Sequence, residues 1–510
     1  MLARRLAQSP KASSGQVHLV PPRKRHLVNI RYAILALLLF FCPAQAEQVR
    51  LFILHTNDIH GHLEPVTTGS DTSPGFTRTA TVIRSLQAAF PGQVLLLDGG
   101  DMALGTPTSG LFFGIPTAES LKSLNYDVTT LGNHEFNWGQ EKMFTLISAT
   151  GATTVCANLV SDEGEPVIAP FHVLERNGAK LAIIGLVAPD TASRSPKAYT
   201  KGWKFLDPAE ATRQALQQLP EVDAVIALSH IGVPADQELA RQVPELDLII
   251  GGHSHTALHE PLVENGVPIV QSGKYARYLG LVEVEIDTDS DELKLLTHRL
   301  IPIDETFAPD PQVATIVGDY AEKVKPILDK VIGNSKTDIV NRPHPGTIDT
   351  PLGGYIADAL KHQSESDVAF YNRGGVRGHL KPGPLTVRTL HEMFPFDDPV
   401  TVLKANGQQL LEVIEQGRSA RAKLSPSLEI SYLNGQALFK GQPISAEKEY
   451  TITVTGFLST GGDGMSLLNQ LEVVHTLGFT RDVLQSYIEQ HPQLTAPKAG
   501  RIQGKEIDDE

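Results

Sequence analysis

Five short apolar runs, each ending in a cluster of polar residues, constrain the fold more than any other feature of this sequence. They lie at residues 51–54, 94–97, 128–131, 224–228 and 248–250, and helical stretches such as 79–89 and 209–218 separate them. Continuous apolar runs of this length are typical of strands buried on both faces. The alternation with helices therefore predicts an α/β layer structure.

The polar clusters carry side chains that bind metal ions. Active groups in α/β layers gather beyond the carboxyl ends of the strands, so we expect these clusters to meet at one edge. A bridging carboxylate with imidazoles and an amide oxygen suits two divalent ions such as Zn²⁺, Mn²⁺, Co²⁺ or Fe²⁺. The candidate ligands are Asp58, His60, Asp101, Asn133, His230, His253 and His255.

The order of these motifs points to a family. The chain contains, in order, the motifs D-x-H, G-D, G-N-H-E, a strand-end histidine and G-H-x-H. In these motifs the sequence resembles the calcineurin-like metallophosphoesterases, in particular the exported 5'-nucleotidase and cyclic-nucleotide phosphodiesterase family. The resemblance runs from Leu51 to about Leu468. It implies an N-terminal four-layer α/β/β/α metallophosphoesterase domain, a helical linker and a C-terminal α+β nucleotidase domain.

By similarity, two ions would share Asp101. One would be held by Asp58, His60, Asp101 and His255, and the other by Asp101, Asn133, His230 and His253. Two dications neutralise the oxygens of a phosphate ester and generate hydroxide near neutral pH, which removes the main obstacle to attack on phosphorus. His55, His62 and Glu135 lie beside these motifs and are interpreted as structural residues.

His134 is the candidate general acid, because imidazole titrates near neutral pH. The family usually has G-N-H-E-F-D, whereas residues 132–137 here read G-N-H-E-F-N. We expect Asn137 to orient His134 while giving an imidazolium less support than a carboxylate would. The asparagine version resembles the branch that hydrolyses 2',3'-cyclic nucleotides and 3'-nucleotides.

The second domain supplies substrate-binding residues by resemblance. Asn372 and Arg377 lie in the family motif N-x-G-G-x-R, and Asp463 in G-G-D-G matches an acid that contacts ribose. Phe396 and Phe457 match an aromatic pair that sandwiches the base, and stacking of this kind contributes about 1–3 kcal/mol per base. The family often has an arginine shortly before the helix near residue 352, and Arg342 is its nearest substitute here.

Residues 1–46 have the composition of an export signal. They contain seven basic and no acidic side chains, and an apolar run at 32–41 and A-Q-A precede Glu47. This pattern predicts a secretory signal cleaved before Glu47, hence a secreted or periplasmic protein with no stable membrane insertion after cleavage. Cleavage would take the net charge from −14 to −21, which argues against a nucleic-acid polymer as partner.

The predicted domain boundaries are 1–46 for the signal, 47–304 for the first domain, 305–335 for the linker, 336–494 for the second domain and 495–510 for a tail. In the linker, an amphipathic helix is predicted at 311–332 with an interruption at Pro326. In the second domain, strands are predicted at 368–371, 400–403 and 450–454, and a helix at 408–416. Residues 501–510 are predicted to be frayed.

The leading interpretation is hydrolysis of nucleoside monophosphates by a 5'-nucleotidase-like enzyme. The alternative is a 2',3'-cyclic-nucleotide 2'-phosphodiesterase and 3'-nucleotidase, which Asn137 favours. A sulfur-ester hydrolase and a non-catalytic nucleotide-binding surface protein are more distant. The expected partner is a nucleotide substrate, and the sequence leaves the oligomeric state open.

Overall fold

The computed structural model describes residues 48–68, 71–194, 199–394, 398–419, 422–498 and 500–504. The predicted secretory signal and Phe396 lie outside the described residues. Within these ranges, no helix combines the length and the apolar character that crossing a membrane requires.

Two six-stranded mixed sheets form the centre of the N-terminal domain. The first contains, in spatial order, β16 (Glu292–Pro302), β15 (Tyr278–Asp287), β1 (Gln48–Thr56), β4 (Val94–Asp98), β5 (Val128–Thr130) and β6 (Thr153–Val155). The second contains β13 (Leu262–Glu264), β14 (Val267–Val270), β12 (Leu248–Ile250), β11 (Ala224–His230), β9 (Ala179–Val187) and β8 (Phe171–Arg176). The five apolar runs of the sequence are β1, β4, β5, β11 and β12, and each is parallel to at least one neighbour.

Shorter elements complete this domain. The strand pairs are β2 (Val66–Thr68) with β3 (Asp71–Ser73), and β7 (Leu159–Ser161) with β10 (Trp203–Phe205). The helices are α1 (Phe76–Ala89), α2 (Pro107–Leu111), α3 (Ile115–Ser123), α4 (Gln140–Ala149), α5 (Thr191–Arg194), α6 (Pro208–Leu216) and α7 (Val233–Gln242), with a 3₁₀ turn at His134–Phe136.

The packing of the sheets produces four layers. Between the sheets, Leu51 and Ile53 of β1 belong to the same buried cluster as Ile183 of β9 and Ile226 of β11. On the outer face of the first sheet α1, α3 and α4 cover a second cluster, and α6 and α7 cover the outer face of the second sheet. The predicted α/β/β/α architecture is confirmed, since each sheet buries one face against the other sheet and one against helices.

Helix α8 (Pro311–Leu328) contacts both domains. Val313 and Val317 pack into the core of the N-terminal domain, whereas Val324 and Leu328 pack into that of the C-terminal domain. The predicted interruption at Pro326 is wrong, because this proline lies in the last turn and the helix continues past it. A proline there removes one backbone hydrogen bond near an end that frays in any case.

The predicted helix also ends earlier than residue 332. Residues Val331–Ser335 form β17, which pairs with β19 (Gly383–Thr386) and β27 (Gln493–Leu494). Pairing with two segments distant in sequence overrides the local helical pattern here. The predicted boundaries at residues 304 and 336 stay predictions.

The C-terminal domain has a five-stranded sheet with helices on both faces. In spatial order its strands are β21 (Leu424–Pro426), β18 (Val368–Asn372), β25 (Glu449–Thr455), β20 (Pro399–Asn406) and β26 (Glu472–Phe479). A small sheet contains β22 (Ile430–Leu433), β23 (Gln436–Phe439) and β24 (Gln442–Pro443).

The helices of this domain are α9 (Pro351–Ser364), α10 (Val387–Met393), α11 (Gly407–Ser419), α12 (Gly456–Ser459) and α13 (Thr480–Gln490). The 3₁₀ turns occur at Arg373–Gly375, Gly462–Gly464 and Leu468–Gln470. The three strands and the helix predicted in this domain are confirmed.

The prediction of a frayed tail is wrong for Arg501 and Ile502, which are buried. The Arg501 guanidinium donates two hydrogen bonds to the Asp358 carboxylate, at 2.8 and 2.7 Å. Asp349 accepts the backbone N–H groups of Arg501 and Ile502 at 3.1 and 2.9 Å. These partners lie about 150 residues upstream in the chain, so the local polar composition could not anticipate them.

Candidate active site

The candidate metal ligands project from the carboxyl ends of neighbouring strands. Asp58 and His60 follow β1, Asp101 follows β4, and Asn133 follows β5, all in the first sheet. The second sheet contributes the other three candidate ligands. His230 is the last residue of β11, and His253 and His255 follow β12. Because the two sheets pack face to face, both sets reach the same edge.

An unusual backbone conformation presents these side chains. Asp58, His60, Asp101, His253 and His255 have φ values of 51°, 48°, 53°, 72° and 57°. Residues other than glycine rarely adopt this left-handed region, and each instance costs on the order of 1–3 kcal/mol. Such strain clusters at functional sites, where the surrounding structure holds it in place.

Hydrogen bonds between loops hold this backbone. The N–H of Asp58 donates to Gly100 O at 2.9 Å, and the N–H of His60 donates to Asp101 O at 3.0 Å. The loop after β5 approaches so closely that a Cβ on Gly132 would lie 2.1 Å from Asp101 Oδ1. Glycine is therefore required at position 132.

Asp58, His60 and His255 form the first ligand cluster. Asp58 Oδ1 lies 3.2 Å from His255 Nε2 and 3.6 Å from His60 Nε2, and the two histidine nitrogens are 3.0 Å apart. One potential ligand atom from each residue lies within 4.8 Å of the others. This convergence fits a divalent ion held by one carboxylate and two imidazoles.

Asp101, His230 and His253 form the second cluster, also within 4.8 Å. Asp101 Oδ2 lies 3.1 Å from His230 Nε2, and the Asn133 side-chain oxygen lies 2.8 Å from His253 Nδ1. Asp101 Oδ2 is also 3.8 Å from His60 Nε2 of the first cluster. Asp101 therefore lies between the two clusters, where a shared ligand is expected.

The donor set fits two divalent metal ions. Among the described residues, Asp58 Oδ1 and His230 Nε2 are buried atoms whose ion-pair neighbours, His255 Nε2 and Asp101 Oδ2 at 3.2 and 3.1 Å, do not form a hydrogen bond of good geometry with them. Leaving such polar atoms unsatisfied is costly, and a cation at these positions would satisfy them. Two buried carboxylates, four imidazoles and an amide oxygen match the preferences of borderline ions.

Electrostatics keep the carboxylates ionised. Burial alone would raise the pKa of Asp101, but His230 and His134 hold it well below its usual value. Burial opposes a charge on His230, yet Asp101 and Asp58 raise the pKa of this imidazole to about 10. Since a metal ion must displace that proton, ion binding at this site is expected to release protons.

His134 lies at the rim of the clusters. Its backbone N–H donates to Asp101 Oδ1 at 2.9 Å, and its Nε2 lies 4.0 Å from Asp101 Oδ2. The side-chain nitrogen of Asn137 is 3.2 Å from His134 Nδ1, which is the contact expected of an orienting residue. The His134 side chain is 32% exposed, so a substrate can reach it.

The residues interpreted as structural have defined positions. His62 Nδ1 is 3.0 Å from His60 O, and the buried His55 lies on β1. Sequence reasoning missed Asn57, whose side chain donates to Asp58 Oδ2 at 2.6 Å and accepts from the N–H of Ser272 at 2.9 Å. Its position inside the T-N-D-I-H motif was the available signal.

Four predicted substrate-binding residues lie at or just beyond the ends of strands β18 and β25 in the C-terminal domain. Asn372 donates to Asp463 Oδ2 at 2.7 Å, and Arg377 donates to Gly374 O at 2.7 Å. A Cβ on Gly462 would lie 2.6 Å from ring atoms of Phe457, which places this ring beside Asp463. Phe457 is 48% exposed.

Arg342 is exposed. The neighbouring Asn341 donates from its side chain to Arg373 O at 3.2 Å, and accepts from Thr350 Oγ1 at 3.1 Å. These bonds hold the segment before α9 against the turn that precedes Arg377. The substrate contacts of Arg342 and Phe396 stay predictions, as do those of Asn372, Arg377, Phe457 and Asp463.

Comparison with known proteins agrees with this arrangement. The calcineurin-like phosphoesterase family matches residues 52–257, and the 5'-nucleotidase C-terminal domain family matches residues 331–470. The 5'-nucleotidase of Vibrio cholerae serotype O1 is 28% identical over 527 residues, covering 90% of this chain and 94% of that protein.

Solved structures share the whole architecture. The crystal structure of a 5'-nucleotidase precursor from Thermus thermophilus has a TM-score of 0.65 at 26% identity, covering 89% of this chain and 99% of that one. A putative 5'-nucleotidase from Staphylococcus aureus has a TM-score of 0.71 at 18% identity, covering 90% of this chain and 100% of that one. At that lower identity the likeness concerns the fold alone.

The four-layer domain and its paired His/Asp clusters define a metallophosphoesterase, a class of metal-dependent hydrolases. With its second matched domain, the chain belongs to the 5'-nucleotidase family.

Proposed function

We propose that this chain is an exported 5'-nucleotidase that hydrolyses nucleoside monophosphates to nucleoside and phosphate. The observation that carries the proposal is the group formed by exposed Phe457, the Asn372–Asp463 pair and Arg377 in the domain that accompanies the His/Asp clusters. An aromatic face, a hydrogen-bonding pair and a cation match the base, ribose and phosphate of a nucleotide.

The ligand sets follow from the two clusters. Asp58, His60, Asp101 and His255 would hold one divalent ion, and Asp101, Asn133, His230 and His253 would hold the other. When bound, two dications neutralise phosphate oxygens and lower the pKa of water. The protein contributes a buried, preorganised set of ligands, whose strained backbone is held before substrate arrives.

His134 acts as the general acid toward the leaving oxygen of the nucleoside. The Asn137 amide contacts Nδ1, so Nε2, the nitrogen nearer Asp101, is the one that can carry the transferred proton. In the imidazolium form, His134 donates its Nε2 proton to the departing alkoxide and is left as a neutral imidazole. The partial exposure of His134 supports this role.

A second candidate function is 2',3'-cyclic-nucleotide phosphodiesterase and 3'-nucleotidase. The observation that favours it is Asn137, whose amide lies 3.2 Å from His134 Nδ1 where the 5'-nucleotidase motif has a carboxylate. An amide gives an imidazolium less electrostatic support than a carboxylate, so the proton transfer is tuned differently. The two functions differ in the phosphate position that they accept.

Export and partners complete the proposal. The basic stretch, apolar run and A-Q-A site before Glu47 support secretion or a periplasmic location, with no membrane insertion after cleavage. The net charge of −21 after cleavage supports a small nucleotide rather than a nucleic-acid polymer as partner. Attraction for an anionic substrate would then come from bound dications and from arginines such as Arg377.

A phosphate-release panel tests the proposal. Protein processed at Glu47 is supplied with Mn²⁺, Zn²⁺ or Co²⁺ and with 5'-, 3'- and 2',3'-cyclic nucleotides, and Asp101→Ala serves as the inactive control. We expect the fastest release from 5'-monophosphates. Faster turnover of 2',3'-cyclic substrates would favour the second candidate, and no release with any metal would favour a nucleotide-binding protein without catalysis.

A further inference from the structure

A loop at residues 272–277 is fastened to the first metal-ligand loop. Asn57 donates from its side chain to Gly273 O at 2.7 Å, and its oxygen accepts from the Ser272 N–H and hydroxyl at 2.9 and 2.6 Å. The N–H of Tyr275 donates to Asp58 O at 2.8 Å. These bonds link the loop to Asp58 itself and to the residue before it.

The backbone of this loop is strained. Tyr275 and Ala276 have φ values of 60° and 54°, a region that a bulky residue such as tyrosine rarely adopts. Ser73 Oγ donates to Tyr275 O at 2.8 Å, and Thr79 Oγ1 donates to Ala276 O at 3.3 Å. Strain that the surroundings hold in place points to a function for the strained residue.

The strained backbone directs the Tyr275 ring at histidines. The ring stacks on His62, with centroids 3.9 Å apart and an angle of 19°, and meets His60 edge-on at 5.7 Å. It also lies 6.0 Å from the ring of His255. The ammonium of Lys274 lies 4.5 Å from the ring centroid, a cation–π contact that stabilises the ring orientation.

We propose that Tyr275 is a positioning residue for the metal centre, whose ring fixes the orientation of His60 and His255 so that both Nε2 atoms face Asp58 Oδ1. Those nitrogens lie 3.6 and 3.2 Å from that oxygen. The inference rests on the proposed metal site and adds a residue outside its ligand set. Groups that orient histidine ligands typically change metal affinity about 10- to 100-fold when removed.

In this role the aromatic ring of Tyr275, and not its hydroxyl, makes the contacts with the histidines. Tyr275→Phe keeps the ring and should bind both ions as the wild type does. Tyr275→Leu removes the aromatic contacts and should weaken the first ion about 10- to 100-fold. The second ion should change much less, because His230 of that set is oriented by its own contact, from Nδ1 to Gly99 O at 2.6 Å.

Metal titration tests the inference without measuring activity. Protein stripped with a chelator is titrated with Mn²⁺ by calorimetry, and Co²⁺ absorption spectra report the ligand geometry. Tyr278→Leu is the matched control, because this nearby tyrosine contacts His259, which is no candidate ligand. Lys274→Met leaves the tyrosine in place and should weaken the same ion by a smaller factor, which keeps the test usable if Tyr275→Leu folds poorly.

Selective loss of the first ion in Tyr275→Leu, with recovery in Tyr275→Phe, would support the inference. Unchanged affinity in Tyr275→Leu, or equal loss in Tyr278→Leu, would overturn it while leaving the proposed function intact. If Tyr275→Leu folds poorly, unchanged affinity in Lys274→Met would likewise overturn it. Wild-type protein that takes up no ion would overturn both the metal site and this inference.

Discussion

The carboxylate of Glu135 accepts a 3.0 Å hydrogen bond from the backbone N–H of Asp101, the residue that lies between the two ligand clusters. Glu135 also accepts from the N–H groups of Gly132 and Ala103, at 2.7 and 3.3 Å. Burial, together with the nearby Asp101 charge, raises the pKa of Glu135 to about 7. Glu135 thus ties the loops after β4 and β5 together beneath the site.

Replacing Glu135 with alanine should destabilise the N-terminal domain. The change leaves buried N–H groups without acceptors, and each unsatisfied group costs about 1–3 kcal/mol. For the three N–H groups of Asp101, Ala103 and Gly132, we expect a loss of about 3 kcal/mol or more in the free energy of unfolding, measured by urea denaturation, and a smaller loss for Glu135→Gln. Glu141→Ala on the exposed face of α4 is the control. Equal stability of Glu135→Ala and wild type would contradict the structural role.

Removal of metal should lower the thermal midpoint. Ions that bind only the folded chain stabilise it by about 2.7 kcal/mol each when free metal is 100 times the dissociation constant. Calorimetric scans with and without chelator should therefore differ for the wild type. Asp101→Ala lacks the shared carboxylate, so chelator should change its midpoint much less. A wild-type thermal midpoint that is the same with and without chelator would argue against ion binding.

Phe457→Ala should weaken substrate binding without destabilising the fold. Phe457 is 48% exposed, and loss of one stacking partner costs about 1–3 kcal/mol, or roughly 5- to 150-fold in KM. We expect kcat to change little, because the base is remote from the phosphate. Leu428→Ala, at another exposed apolar residue, is the control and should leave KM unchanged. Steady-state kinetics with a 5'-nucleotide decide between these outcomes.

Acid should destabilise the C-terminal domain through His391 of α10. Burial, helped by the charges of Arg481 and Arg388, lowers the pKa of this imidazole to about 3. The unfolded chain binds the proton near pH 6.5, so stability falls by up to about 1 kcal/mol per pH unit as the pH drops from 6.5 toward 3. Urea midpoints of His391→Gln should therefore vary less between pH 7 and 5 than those of wild type. His475→Gln, at an exposed histidine, should keep the wild-type dependence.

Truncation should show that the chain end is part of the fold. Ending the chain after Gly500 removes Arg501 and leaves Asp358 and Asp349 without these partners. Breaking such a pair costs about 3 kcal/mol, the low end for buried pairs, because Asp358 is partly exposed. Ending the chain after Gly504 keeps every one of these bonds and is the matched control. Equal thermal midpoints for the two truncations would refute the prediction.

Much of the site could be predicted because its motifs are local. Each candidate ligand follows an apolar run by a few residues, so strand ends and ligands are read together from short segments. The contacts of Asn57 and Tyr275 could not be predicted in this way, since about 215 residues separate Asn57 from its partners Ser272 and Gly273. Strand β17 shows the same limit, because its pairing with β19 and β27 outweighs its local helical pattern.

The sequence by itself determined the alternation of buried strands and helices, the motifs that carry the family resemblance and the identity of the candidate ligands, because hydrophobic periodicity and short motifs are properties of neighbouring residues. The four-layer arrangement was implied by that resemblance. The tertiary structure decided which of these residues meet. It placed Asp101 between two clusters, aligned Tyr275 with His60 and His255, and buried Arg501 against Asp358. Those contacts depend on sheet register and on packing between distant segments, which no local pattern encodes.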